Sequence, residues 1–231
     1  MNRMIDSVLI LGCATSTIHQ APVNRRRTEI WTVASFIELH PRAASLISRW
    51  FDLHHEPEKK HPQWWAWALE RQPSCILIEK RDELVNSQAY PIDEMRKRFG
   101  SYFTSSISYM LALAIARRAK WIGIYGVDMA CGSEYYYQRA CCEFLIGIAR
   151  GSGIEVEIPD ESFLLRSRWL YGYDDGRPVT ESERMIEEMS IWRAEALALR
   201  AMIPEENRPK PPPNAVRFVE EMQALRSGID A

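Results

Sequence analysis

Five short apolar runs punctuate the chain, at residues 7–11, 29–35, 75–79, 121–127 and 154–158, bounded by small, polar or proline residues. Runs of this length, rich in Ile, Val, Leu and aromatic residues, predict buried β-strands. Helical patterns occupy much of the chain between and around them. Pro41 opens a predicted helix reaching about residue 53, with proline at a favourable first-turn position. A tryptophan-rich helix is expected at 62–71, a short one at 93–98 and a strongly apolar one at 104–118. Another runs from about 133 to 150 and stops near Gly151 and Gly153. Tyr137, Cys141, Phe144 and Ile148 have the spacing of its core face. Residues 54–60 read as a polar loop and 81–91 as irregular chain.

Strands alternating with helices over short connections predict a doubly wound α/β domain. Its sheet would be mostly parallel, of about five strands. The pattern changes after residue 173. A turn at 174–178 leads into a charged amphipathic helix at 180–202, with Met185, Met189, Trp192, Ala196 and Leu199 on one stripe. The segment 204–214, containing Pro211, Pro212 and Pro213, is an extended linker before a second amphipathic helix at 215–226. The chain is therefore expected to divide into an α/β domain, 1–173, and a helical tail, 174–231. The tail must dock on the domain or on another subunit, so a homo-oligomer through these helices is one expectation.

Composition adds constraints. With 231 residues, 46% hydrophobic and 26% charged, the chain can bury a sizeable core. Its formal charge of −2 does not indicate a nucleic-acid partner. Five cysteines, Cys13, Cys75, Cys131, Cys141 and Cys142, are odd in number and lack CxxC spacing, which fits a reducing compartment. The apolar run near the start is too short for a signal sequence and no stretch approaches a membrane span, so a cytoplasmic protein is expected.

In an open α/β sheet, ligands bind beyond the C-terminal ends of the strands, and the candidate residues sort by that rule. Gly12-Cys13-Ala14-Thr15-Ser16-Thr17 follows the first strand. It is either a phosphate-binding turn, with Gly12 bending the chain and Thr15 and Ser16 offering hydroxyls, or an ordinary strand–helix connection. Thr104, Ser105 and Ser106 open the apolar helix. One of them caps it, and the others could join its exposed amides in holding phosphate. Gly126-Val127-Asp128 closes the fourth run. Asp128 could hold a metal or a ribose hydroxyl, or cap the next helix. Glu134 and Gln138 share a helix face and could line the crevice beside it or simply face solvent. Tyr135 and Tyr136 could stack on a base or serve packing.

His40 follows the second strand at the same edge and is a candidate acid/base group. His54, His55 and His61, with Glu56 and Glu58, have no pair at metal-site helical spacing, so a metal is not expected there. Trp64, Trp65 and Trp67 suit packing better than a stacking lid. Arg25, Arg26 and Arg27 read as a solvated basic run that could meet phosphate.

The stretch from Phe103 to Asp128 resembles two related groups: the bacterial sialyltransferases that use CMP-sialic acid, and the family typified by archaeal 6-hydroxymethylpterin diphosphokinase. The shared elements are the cap Thr104-Ser105-Ser106, the small-residue helix Met110 to Ala116, Lys120, and Gly126-Val127-Asp128. Gly12 and Ser16 match the first Gly and the Ser of their Gly-Asn-Gly-Pro-Ser nucleotide loop, whereas Cys13 and Ala14 replace its Asn and second Gly. The resemblance spans less than a third of the chain. It implies a Rossmann-like nucleotide-binding domain with Gly12, Ser16, Ser105 and Ser106 near phosphate or ribose and Asp128 near the reacting end. The sialyltransferases carry a catalytic histidine after the Gly-x-Asp strand. This chain has no histidine after His61, so that mechanism does not transfer. The diphosphokinase likeness implies a divalent cation such as Mg²⁺ on Asp128 with Glu134. The chain as a whole also resembles small proteins of bacteriophage genomes.

Together these features lead to an expected transferase of glycosyl or diphosphate groups that binds a nucleotide or nucleotide-sugar. Gly126 and Gln138 would line the site, and Glu134 or His40 would serve as base. The alternatives are a non-catalytic nucleotide-sequestering protein and an assembly protein acting through its tail.

Overall fold

The computed structural model describes residues 6–129, 133–166, 170 and 172–173, with backbone alone at 133–136. The chain divides after Gly176 into two units. The whole tail, with its two amphipathic helices and proline linker, lies outside the described residues, as does Cys131.

Seven parallel strands form one sheet: β1 (Ser7–Leu11), β2 (Thr28–Val33), β3 (Arg49–Asp52), β4 (Cys75–Leu77), β5 (Ser87–Ala89), β6 (Trp121–Tyr125) and β7 (Glu155–Glu157). Their order is β5-β4-β3-β2-β1-β6-β7, with every pairing parallel. The chain winds outward from β1 to β5, then returns to lay β6 on the other side of β1. This is a Rossmann-like, doubly wound α/β fold, and its winding reverses between β1 and β6. No helix among the described residues is long and apolar enough to cross a membrane.

Parallel strands are covered by helices on both faces, so their sequences run continuously apolar. All five residues of β1 and all five of β6 are buried. On one face Val8, Ile10, Trp31, Phe51, Ile76, Ile122 and Ile124 pack under three helices. These are α5 (Ile92–Phe99), α6 (Ser106–Ala116) and α7 (Ser133–Gly151). The opposite face carries Leu9, Leu11, Trp50, Cys75, Leu77 and Tyr125. It packs against the shorter α2 (Phe36–Leu39) and the longer α4 (Pro62–Arg71), through residues such as Phe36, Ile37, Trp65 and Ala68. One-turn helices α1 (Thr15–Ile18) and α3 (Pro57–Lys60) complete the set.

Five expectations are corrected. The helix expected over 41–53 is a 3-10 helix, Pro41–Leu46, followed by strand β3. The 3-10 segment buries no residue, whereas Trp50 and Phe51 are each 0% exposed and point to opposite faces. Period-2 burial of an aromatic pair outweighs the helical start signal at Pro41. Residues 81–91 are not wholly irregular, because Ser87–Ala89 pairs with β4 as an edge strand, and 54–60 contains α3. The sheet therefore has seven strands rather than five. Finally, the core stripe of α7 is Cys141, Cys142, Leu145, Ile146 and Ala149. Tyr137 and Phe144, placed on it from spacing, are 67% and 47% exposed, and Phe144 packs beside Tyr102.

The apolar helix α6 is capped by Ser105. Its hydroxyl accepts the Ser108 N–H at 3.2 Å, and the Ser108 hydroxyl accepts the Ser105 N–H at 3.2 Å. Ser105→Ala should therefore cost about 1 kcal/mol. A thermal melt should show Tm lowered by about 2–4 °C; an unchanged melt would mean that the box contributes nothing to stability.

Candidate functional site

The reversal point between β1 and β6 is built from two loops in close contact. The Gly12 N–H donates to the Tyr125 carbonyl at 2.9 Å, and the Ala14 N–H donates to Gly126 at 2.8 Å. The Gly126 N–H donates to Thr17 Oγ1 at 2.8 Å, with Thr17 0% exposed. A Cβ on Gly12 would stand 2.2 Å from the Gly126 carbonyl oxygen, so only glycine fits. Gly126 itself has φ of +66°, a conformation that glycine adopts without strain. Across this junction the exposed Ser16 hydroxyl donates to Asp128 Oδ2 at 2.5 Å. The other Asp128 oxygen, Oδ1, is buried and has no hydrogen-bond partner among the described residues.

The structure thus brings Gly12, Ser16, Gly126 and Asp128 together, but divides their roles. Gly12 is buried and its N–H is already paired, so it shapes the junction. Thr15 and Ser16 are exposed at its mouth. Thr104–Ser106 lies at the same edge but against α7: Thr104 Oγ1 donates to the Tyr137 carbonyl at 3.2 Å, and Ser105 Oγ contacts Cys142 Sγ at 3.6 Å. Ser106, half-buried in the first turn of α6, is the one of the three whose hydroxyl makes no hydrogen bond to a described residue. Glu134 lies in the first turn of α7, and its side chain, like those of Tyr135 and Tyr136, is outside the described residues. Gln138 follows one turn later, half-buried.

His40 closes α2 beyond the end of β2. Its ring lies 4.9 Å from that of Phe36, and its Nε2 is buried without a partner. Next to it in the sheet, the Cys13 thiol contacts Ser35 Oγ at 3.2 Å. Burial pushes this thiol's pKa up, the Ser35 hydrogen bond opposes that rise, and the Glu38 charge adds to it. Cys13 is therefore poorly suited to nucleophilic work.

The tryptophans pack as expected. Trp65 is buried, Trp67 lies 5.7 Å from Trp50, and Trp64 stacks on His61 at 3.8 Å while donating to Glu38 at 2.7 Å. Arg25–Arg27 immediately precedes β2, at the edge opposite the loops described above. Arg25 lies 4.3 Å over Trp121, the first residue of β6, so this run is remote from the reversal point.

One group escaped the sequence reading. Asp52, the last residue of β3, is 1% exposed. Its Oδ1 accepts from His54 Nδ1 at 2.6 Å and from the His54 N–H at 3.2 Å. Its Oδ2 is buried and unpartnered. The signal was present in Trp50-Phe51-Asp52-Leu53-His54, a buried aromatic pair followed by a carboxylate and a histidine, but it fell inside the expected helix.

The described residues leave five buried side-chain polar atoms without a partner, on Thr32, His40, Arg49, Asp52 and Asp128. All but Arg49 lie at or near the C-terminal ends of β6, β2 and β3. Each such atom costs about 1–3 kcal/mol if left unmet. Four of these five atoms thus gather at one sheet edge. Among the described residues no group of three or more His, Cys, Asp or Glu side chains could hold a metal ion.

Compared with known families and with curated proteins, the chain matches no family model and no curated sequence. The class defined here, a Rossmann-like α/β protein with a polar C-terminal edge, therefore rests on its own geometry.

Two substitutions test the junction. Gly12→Ala should destabilise by at least about 1–3 kcal/mol through overpacking. Thr17→Val should cost about 1–3 kcal/mol by leaving the Gly126 N–H unpaired. Urea midpoints that match the unaltered chain would show that the loops do not depend on this contact.

Proposed function

We propose that the protein binds a nucleotide or nucleotide-sugar along the C-terminal edge of its sheet, centred on the β1/β6 reversal, and transfers a glycosyl or diphosphate group from it. The observation that supports this reading is Asp128. One of its oxygens is tied to Ser16 at 2.5 Å, while the other is buried at the reversal point with no partner among the described residues. That is where doubly wound sheets bind ligands, and a ribose or sugar hydroxyl would supply the missing donor. Thr15 and Ser106 are the hydroxyls left to meet phosphate. A carboxylate oxygen together with the donor's own phosphates is a usual environment for Mg²⁺, so the cation suits the diphosphate-transfer form of this reading. When bound it would neutralise charge on the leaving phosphate, while Asp128 would hold it and Ser16 would orient Asp128.

A second reading, binding without turnover, is favoured by one fact. The Gly12 and Ala14 N–H groups of the first loop are both paired within the protein, so that loop offers fewer amides to a phosphate than its position suggests.

A thermal-shift panel of nucleotides and nucleotide-sugars, with and without Mg²⁺, separates these outcomes. A true ligand at 100 times its Kd should stabilise by about 2.7 kcal/mol and raise Tm by about 5–10 °C. Asp128→Asn should weaken that ligand about 10-fold or more. No shift with any member of the panel overturns both readings, and binding without group transfer selects the second.

A further inference from the structure

The C-terminal edge holds a second constellation, three strands from Asp128. A cavity of about 160 Å³ opens beyond β3 and β4, lined by Asp52, His54, Leu77, Glu79 and Arg81 among others. A carboxylate only accepts hydrogen bonds, so the 2.6 Å contact of Asp52 Oδ1 with His54 Nδ1 leaves the proton on Nδ1 and the lone pair on Nε2. The His54 N–H also bonds Asp52, at 3.2 Å, which fixes the backbone beneath the ring. The ring is held from the side as well: His61 stands 5.0 Å from it and is itself stacked on Trp64. Nε2 makes no hydrogen bond to a described residue, and the His54 side chain is 40% exposed. A buried carboxylate that fixes the tautomer of a half-exposed imidazole is the arrangement of a general base.

We propose that His54, oriented by Asp52, is the base that deprotonates the acceptor in the transfer reaction, and that the adjoining cavity is the acceptor subsite. This inference rests on the transferase reading above. Three strand spacings of about 4.8 Å put the dyad about 14 Å from Asp128, so a donor held at Asp128 must extend its transferred group along the edge toward β3 to meet the acceptor.

The cavity sets the acceptor class. A cavity of about 150 Å³ accommodates a benzene-sized ring, so the space beside the dyad suits a small reacting end. Arg81, the one described lysine or arginine in the lining, is already matched by Glu58 at 2.6 Å and by Glu79 at 3.7 Å, and the lining otherwise carries carboxylates and histidines. The walls are therefore suited to a neutral, hydroxyl-bearing compound. In the step itself, the acceptor oxygen attacks the donor's anomeric carbon or phosphorus and its proton passes to His54 Nε2. The bond from that centre to the nucleotide phosphate oxygen breaks, and its electron pair leaves with the nucleotide. Asp52 balances the imidazolium, which then returns its proton to solvent.

The test has two arms on the full chain. Histidine-selective ¹³C/¹⁵N NMR should find His54 as the Nδ1–H tautomer, and Asp52→Asn should abolish that preference. Nucleotide release from a panel of nucleotide-sugars, with glycerol as acceptor, supplies the kinetic arm. His54→Gln should lower kcat about 10²–10⁴-fold with the donor KM held within about twofold, and added imidazole should restore part of the rate to His54→Gly. Asp52→Asn, a positioning change, should lower kcat while sparing the donor KM. Glycerol should be preferred over glycerol phosphate, and the opposite preference overturns the acceptor class. An Nε2–H tautomer, or wild-type turnover by His54→Gln, overturns the base while leaving the transferase reading intact. If the unaltered chain turns over no donor, both fall together.

Discussion

Everything at the functional edge depends on how closely β1 and β6 approach where they leave the sheet. The two loops meet through backbone, with the Gly126 carbonyl occupying the space that a side chain on Gly12 would need. Three hydrogen bonds, from Gly12, Ala14 and Gly126, hold the loops in register. Because β1 is also the strand from which the chain winds in both directions, this contact joins the two halves of the sheet. It also carries Ser16 to Asp128. Relaxing it would separate the one polar pair that spans the reversal point, even if the core below stayed packed.

The two faces beneath that edge do different work. The face under α6 and α7 is a large apolar core, sealed at its top by the Ser105–Ser108 cap and the Thr104 contact with α7. The opposite face is covered by shorter elements and admits polar groups near the strand ends: Thr32, Asp52, and the Cys13–Ser35 contact. Polar side chains gather there, whereas the first face carries the continuous apolar core under α6 and α7.

Much of this architecture was legible in the sequence, since strands buried on both faces are written as continuous apolar runs. β1, β4 and β6 lie on such runs, β2 is buried at its centre, and β7 alternates, with Val156 between Glu155 and Glu157. β3 did not stand out because its two buried aromatics are flanked by Arg49 and Asp52 and follow a proline that suggests a helix start. β5 is Ser-Gln-Ala, an edge strand whose pairing comes from the neighbouring β4 and not from its own side chains. The pairing of the Gly12 loop with Asp128 followed from topology alone, and it is present. The Asp52–His54 dyad was hidden by the missed strand: assigned to a helix, its carboxylate had no sheet edge to sit on. On α7, helical spacing alone allowed two neighbouring stripes, and packing on α6 selected the one containing Cys142.

The outer strands have a consequence of their own. β5 and β7 are three residues each, and β7 carries Glu155 and Glu157. The Trp121 and Tyr125 side chains both donate hydrogen bonds to Glu157, which anchors that carboxylate at the rim. Among the described residues an incoming strand would find three residues to pair with on either side, and a second copy approaching β7 edge to edge would bring like charges together. The sheet is thus self-terminating. Copies of this chain are discouraged from joining through backbone ladders, a safeguard against fibrillar growth built into a sheet whose interior strands are otherwise apolar enough to promote it.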